Sequence, residues 1–168
     1  MSAKKVLLDQ YDLHNVLYNN VLADITDAES GKCIADPMNC VKWLAGHLAW
    51  AQLNLGNIGG VPVDFAWRDH FHTKQGATPQ DLDATPSELP ALQQIKDKWN
   101  EMGPVIRNGL ENLPDAALDT VINIPHPIFP FDNTLGGLWA FINHHQAYTI
   151  GQIGILRRGL NKDAMKYS

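Results

Sequence analysis

The stretch Asn143–Arg158, NHHQAYTIGQIGILRR, decides how this chain is read. Two adjacent histidines, a tyrosine, a threonine and a Gly-Gln pair are set into an apolar helical repeat. At ~3.6 residues per turn, Leu138, Ile142, His145, Thr149, Gln152 and Leu156 run down one side of a helix. Half of that core-facing stripe consists of hydrogen-bonding or metal-binding side chains. A buried polar group without a partner costs about 1–3 kcal/mol, so partners are expected elsewhere in the chain.

A length of 168 residues suits one domain, 1–168, with a single sizeable core. Hydrophobic residues at 45% and charged residues at 18% give a globular composition. No apolar run approaches the ~20 residues of a membrane span. The N-terminal segment lacks an apolar signal block, so a cytoplasmic location is expected. A net charge of -5 with scattered basic residues argues against nucleic-acid binding. Cys33 and Cys40 are too far apart for a CxxC motif and are read as reduced, structural thiols.

In chain order, apolar residues from Val6 to Ile25 recur at three and four and predict a first helix over 4–26. His14 lies one heptad from Leu7 and Val21 and reads as a packed or partly exposed histidine bonded to a neighbour. The segment 27–38 reads as a loop, with Asn39 as N-cap of a second helix over 40–55. In that helix His47, within WLAGHLAW, points into the bundle. The long connection 56–84 is expected to pack down through Phe65, Trp67 and Phe71 as a lid, with His70 and His72 exposed.

Thr85-Pro86-Ser87-Glu88 has the form of a capping box opening a third helix. Gly103-Pro104 predicts a kink or break in it. A proline-interrupted return follows, with a short extended piece at Val121–Ile124 and His126 in a loop. Asn133 or Thr134 caps a fourth helix over 135–158. Gly159 is its expected stop, Arg157 and Arg158 complement its dipole, and the tail frays.

Four helices of this kind make an all-α, antiparallel four-helix bundle with long inter-helix loops. His47 and His145 meet across its core as a minimal metal platform. A zinc or nickel site normally takes a third protein ligand and keeps an open position. The position one turn beyond His145 is Thr149, a poor ligand. His144 is rotated ~100° from His145 and reads as a packing or interface histidine.

The helix order, the histidine in WLAGHLAW and the run HHQAYTIGQIGILRR resemble the DinB/YfiT-like superfamily of four-helix bundles. Its C-terminal signature is a histidine, three residues, a second histidine, one residue, then Gly-Gln. His145 matches the first histidine, Tyr148 the aromatic residue before the second, and Gly151-Gln152 the terminal pair. Thr149 stands where the second histidine belongs, and His47 matches the ligand of the second helix. The resemblance implies a divalent metal, zinc or nickel, held by His47 and His145 in a site made incomplete by Thr149. It further implies a thiol S-transferase or hydrolase acting with a small-molecule ligand or low-molecular-weight thiol. Tyr148, Thr149 and Gln152 would then contact substrate, and pairing as a homodimer is compatible with the apolar first and last helices. The alternative is a non-catalytic bundle that has lost the metal and binds a small molecule or a protein.

Overall fold

A computed structural model of the chain describes residues 2–35, 38–58, 61, 63–64, 67–71, 87–123 and 133–167. Its helices are α1 (Ala3–Val21), α2 (Asp27–Ser30), α3 (Val41–Ile58), α4 (Arg68–Phe71), α5 (Leu92–Asn112) and α6 (Leu135–Gly159). A 3-10 segment, Asp115–Asp119, precedes α6. The four long helices pack as a bundle, and the described residues contain no strand. What is described of the expected extended piece amounts to one antiparallel bridge, Val121 with Thr134. None of the helices is long and apolar enough to cross a membrane.

Directional contacts fix the topology. Asn143 donates to the Leu7 carbonyl and Arg157 to the Val21 carbonyl, so α1 and α6 run the same way. Lys4 with the Leu113 carbonyl, Asp12 with Arg107 and Asn19 with Asn100 make α5 antiparallel to α1. Tyr18 stacks on Trp99 at 4.0 Å and donates its hydroxyl to the Ala45 carbonyl at 3.1 Å, while Gly56 lies against Ile106. Those contacts make α3 parallel to α5. Around the bundle the order is α1, α6, α3, α5. The connection between α3 and α5 therefore returns the length of the bundle, which explains why it is long.

Tyr11, Tyr18, Leu48, Trp99, Ile106, Leu138 and Trp139 are fully buried at the centre. Each side chain of this size removed from water stabilises the fold by about 1.5–3 kcal/mol. The phenols of Tyr11 and Tyr18 are raised well above the usual tyrosine range by that burial.

The helix ends differ from the sequence expectation for local reasons. The first helix stops at Val21, not near Thr26, because Asp24 adopts a left-handed conformation with φ 59°. Thr26 and Glu29 then form a capping box that starts α2 inside what reads as a loop. The third long helix begins at Leu92, past Pro90; of the expected 85–88 start, Thr85 and Pro86 lie outside the described residues, and Ser87 and Glu88 form a turn. Its cap comes from far along the chain: Asp27 Oδ1 accepts from Leu92 N at 2.7 Å and from Lys42 Nζ at 2.8 Å. Pro104 does not break α5, which runs through it at the loss of one main-chain bond.

The α6 end is also more tightly held than expected. Thr134 caps its start by accepting from Gly137 N at 3.0 Å. Gly159 closes the helix, but the left-handed residue beyond it is Asn161, φ 59°. Arg157 is buried, and its guanidinium donates to the carbonyls of Val21, Ala23 and Asp163, satisfying the C-terminus of α1. The tail is pinned, not frayed: Asn20 donates to the Lys166 carbonyl, Lys162 pairs with Glu29, and Met165 packs on the core. Cys33 is exposed and Cys40 buried, both unpaired thiols.

Candidate functional site

The site begins with a spacing on α3. Trp43, His47 and Trp50 fall at i−4, i and i+3, so a helix must stack them on one face. Their rings do stack: Trp43 on His47 at 4.7 Å and 12°, His47 on Trp50 at 5.3 Å and 26°. The Nδ1 of His47 lies 3.1 Å from the Phe71 carbonyl oxygen. A carbonyl only accepts, so Nδ1 carries a proton and donates, which leaves Nε2 as the ring atom able to ligate.

That anchor depends on a glycine. Phe71, at the end of α4, is fully buried with its ring over Gly46. A Cβ on residue 46 would fall 2.1 Å from two of the ring's carbons. The described part of the long connection thus packs down as expected, with Trp67 also resting on the core. Phe65, His72 and His126 lie outside the described residues, and His70 is exposed.

His145 of α6 meets His47 across the bundle. The ring centroids are 5.2 Å apart at 64°, and Phe141, one turn earlier, lies 6.0 Å from His145. Burial pushes the His145 pKa down to about 4, with His47 and His144 acting in the same direction. At neutral pH this imidazole is uncharged and offers a lone pair.

The other expected residues are placed less centrally. Thr149 is buried, at 2% exposure. Gln152 is half-buried. Tyr148 is 62% exposed and lies beside exposed His144, with ring centroids 6.5 Å apart. The inner face of α6 is rotated from the stripe expected from the sequence. Asn143, Gln146, Thr149 and Arg157 are its buried polar members, while His145 and Gln152 stand at its edge.

Two imidazoles, one oriented through a backbone carbonyl and the other kept neutral by burial, fit two coordination positions of a divalent cation. They do not make a three-histidine set, because the Thr149 hydroxyl is a poor donor. Among the described residues no group of three or more His, Cys, Asp or Glu side chains is placed to hold a metal. The anchoring Phe71 carbonyl had no signal in the sequence. The indole sandwich goes beyond the expectation that His47 points into the bundle; its sequence signal is the W-x-x-x-H-x-x-W spacing.

Comparison with known proteins agrees with this arrangement at the level of fold and family. Residues 10–153 match the DinB superfamily. A conserved protein of Enterococcus faecalis, solved by crystallography, superposes with a TM-score of 0.72 at 18% identity, covering 96% of this chain and 98% of its own. No curated protein matches the chain.

Proposed function

Given that the chain belongs to the DinB superfamily, we propose that it is a metal-dependent protein of the thiol S-transferase or hydrolase kind. His47 and His145 would hold a divalent cation, zinc or nickel. The observation that carries this reading is the His47–His145 ring pair, with His47 Nδ1 donating to the Phe71 carbonyl. That hydrogen bond selects the tautomer a ligating histidine needs. When bound, such a cation lowers the pKa of a coordinated thiol or water and supplies a nucleophile near neutral pH.

The chain's own residues prepare the place. Burial keeps His145 neutral, and Trp43, Trp50 and Phe141 pack around the two rings. Because Thr149 offers no imidazole, the remaining donors are left to a small-molecule ligand or low-molecular-weight thiol. Gln152, at the edge of the inner face of α6, and the more exposed Tyr148 are the side chains assigned to orienting it. A second reading, a non-catalytic bundle that binds a small molecule or protein partner without metal, is favoured by one observation: the third-ligand position holds a buried threonine.

Metal content of protein purified without a histidine tag separates the two. Near-stoichiometric zinc or nickel that disappears in His47→Ala supports the first reading. No metal in either protein, even after incubation with excess zinc or nickel, overturns it. The second reading then predicts thermal stabilisation of the metal-free protein by a small molecule.

A further inference from the structure

Four buried polar side chains from three helices meet on the core side of the imidazole pair, and the site described above does not use them. Gln146 Nε2 of α6 donates to Gln52 Oε1 of α3 at 2.9 Å. Asn143 Nδ2, one turn earlier on α6, donates to the Leu7 carbonyl of α1 at 3.1 Å and to Gln10 Oε1 at 3.3 Å. His14 of α1 stands beside both α6 amides. They favour its protonation, but burial outweighs them and lowers its pKa. They nevertheless fall short of hydrogen-bond geometry. His14 Nδ1, Gln52 Nε2, Asn143 Oδ1 and Gln146 Oε1 have no hydrogen-bond partner among the described residues. All four side chains are at least nine-tenths buried.

Such a network is a poor way to stabilise a core. Buried polar atoms left unpaired cost stability, and apolar side chains of similar size in the same space generally do as well or better. Its distinctive property is direction. Asn143 is tied to a carbonyl on α1 and Gln146 to an amide on α3, so together they fix the rotation of α6 against both neighbours. Apolar contacts made by Ile142, Ile150 and Ile153 do not specify rotation in this way. The same stretch carries the imidazoles: Gln146 follows His145, and Gln52 lies five residues beyond His47.

We propose that Gln52, Asn143 and Gln146 are positioning residues that hold α6 in the rotation that sets His145 against His47. Their purpose rests on the two-histidine reading of the site, but the ring approach is measurable without any metal. A side chain ends roughly 5–6 Å from its helix axis, so a turn of about 20° carries it about 2 Å.

The test is NMR on metal-free native protein, Gln146→Met and Gln52→Met, with thermal unfolding as a second readout. Native protein should give a cross-peak between the His47 and His145 ring protons. Opening the 5.2 Å separation by about 2 Å weakens a signal that falls with the sixth power of distance roughly sevenfold. The expected result is folded variants with unchanged or slightly higher midpoints and that loss of cross-peak. An undiminished cross-peak in folded variants overturns the proposal. So does loss of folding, or a large fall in midpoint, in both variants, because the network would then be a stabilising element. Native protein that shows the cross-peak yet takes up no zinc overturns the proposed function alone.

Discussion

Replacing Gly46 by alanine sets two opposed effects against each other. On helix propensity alone the change in mid-α3 should stabilise the protein by about 1 kcal/mol. The packing predicts otherwise. The new methyl would sit 2.1 Å from Phe71 Cε1 and Cζ and 2.6 Å from Cδ1, whereas carbon contacts settle at about 3.5–4.0 Å. The ring must retreat by about 1.5 Å from a position where it is fully buried. Overpacking of this kind costs about 1–3 kcal/mol, which leaves a net loss of up to about 2 kcal/mol after the propensity gain. In a chain of this size that is a fall in Tm of roughly 4–8 °C. The loss should also reach the site, because the displaced residue supplies the carbonyl that accepts from His47 Nδ1. Urea unfolding measures the first effect, and the 15N shifts of the His47 ring, which report its tautomer, measure the second. A Gly46→Ala protein stabilised by the full propensity gain, with an unchanged His47 tautomer, would refute the reasoning.

Three further outcomes follow from the same contacts. The metal-free protein should lose stability between about pH 6.5 and about pH 4. His145 is depressed below its unfolded value, so its contribution is present above the unfolded pKa and is lost as pH falls through the window. His14 acts with the same sign. Each contributes at most about 1.4 kcal/mol per pH unit, and Tm against pH for native and His145→Leu protein should show the smaller slope in the variant. Asp27→Ala removes both the partner of buried Lys42 and the acceptor for Leu92 N. It should cost about 2–3 kcal/mol, below the roughly 3–5 of a fully buried pair because the Asp27 carboxylate is exposed on one side, while Asp27→Asn, which keeps an acceptor, costs less; chemical denaturation compares them. Thr149→His places a third imidazole one turn beyond His145 and should tighten zinc binding at least about tenfold, with an overpacking cost of about 1–3 kcal/mol. Calorimetric titration of the folded variant would contradict this if affinity were unchanged.

The long helices were legible because they rest on local periodicity, and the His47–His145 meeting because packing those helices as a bundle turns both faces inward. W-x-x-x-H-x-x-W and the repeat around His145 declare their faces through helical spacing alone. Features set by remote partners were not legible. The start of α5 depends on Asp27, 65 positions earlier in the chain. Thr26-Asp27-Ala28-Glu29 carried a capping signal that an expected long first helix obscured. The buried stripe of α6 lies about one position from the one that the repeat through His145 predicts, because His145 stands at the edge of the face. Asn143 and Gln146, at i and i+3, show their role only beside the Leu7 carbonyl and Gln52. The family label agrees with the fold, whereas Thr149 separates this chain from the family's usual ligand set.

The claim that His47 and His145 form one metal-binding site is tested most directly by titrating metal-free protein with zinc while observing every histidine ring by NMR. The two rings should shift together and saturate near one zinc per chain, with exposed His70 and His144 unmoved. A response confined to exposed rings, or none from His47 and His145 at excess zinc, would contradict it.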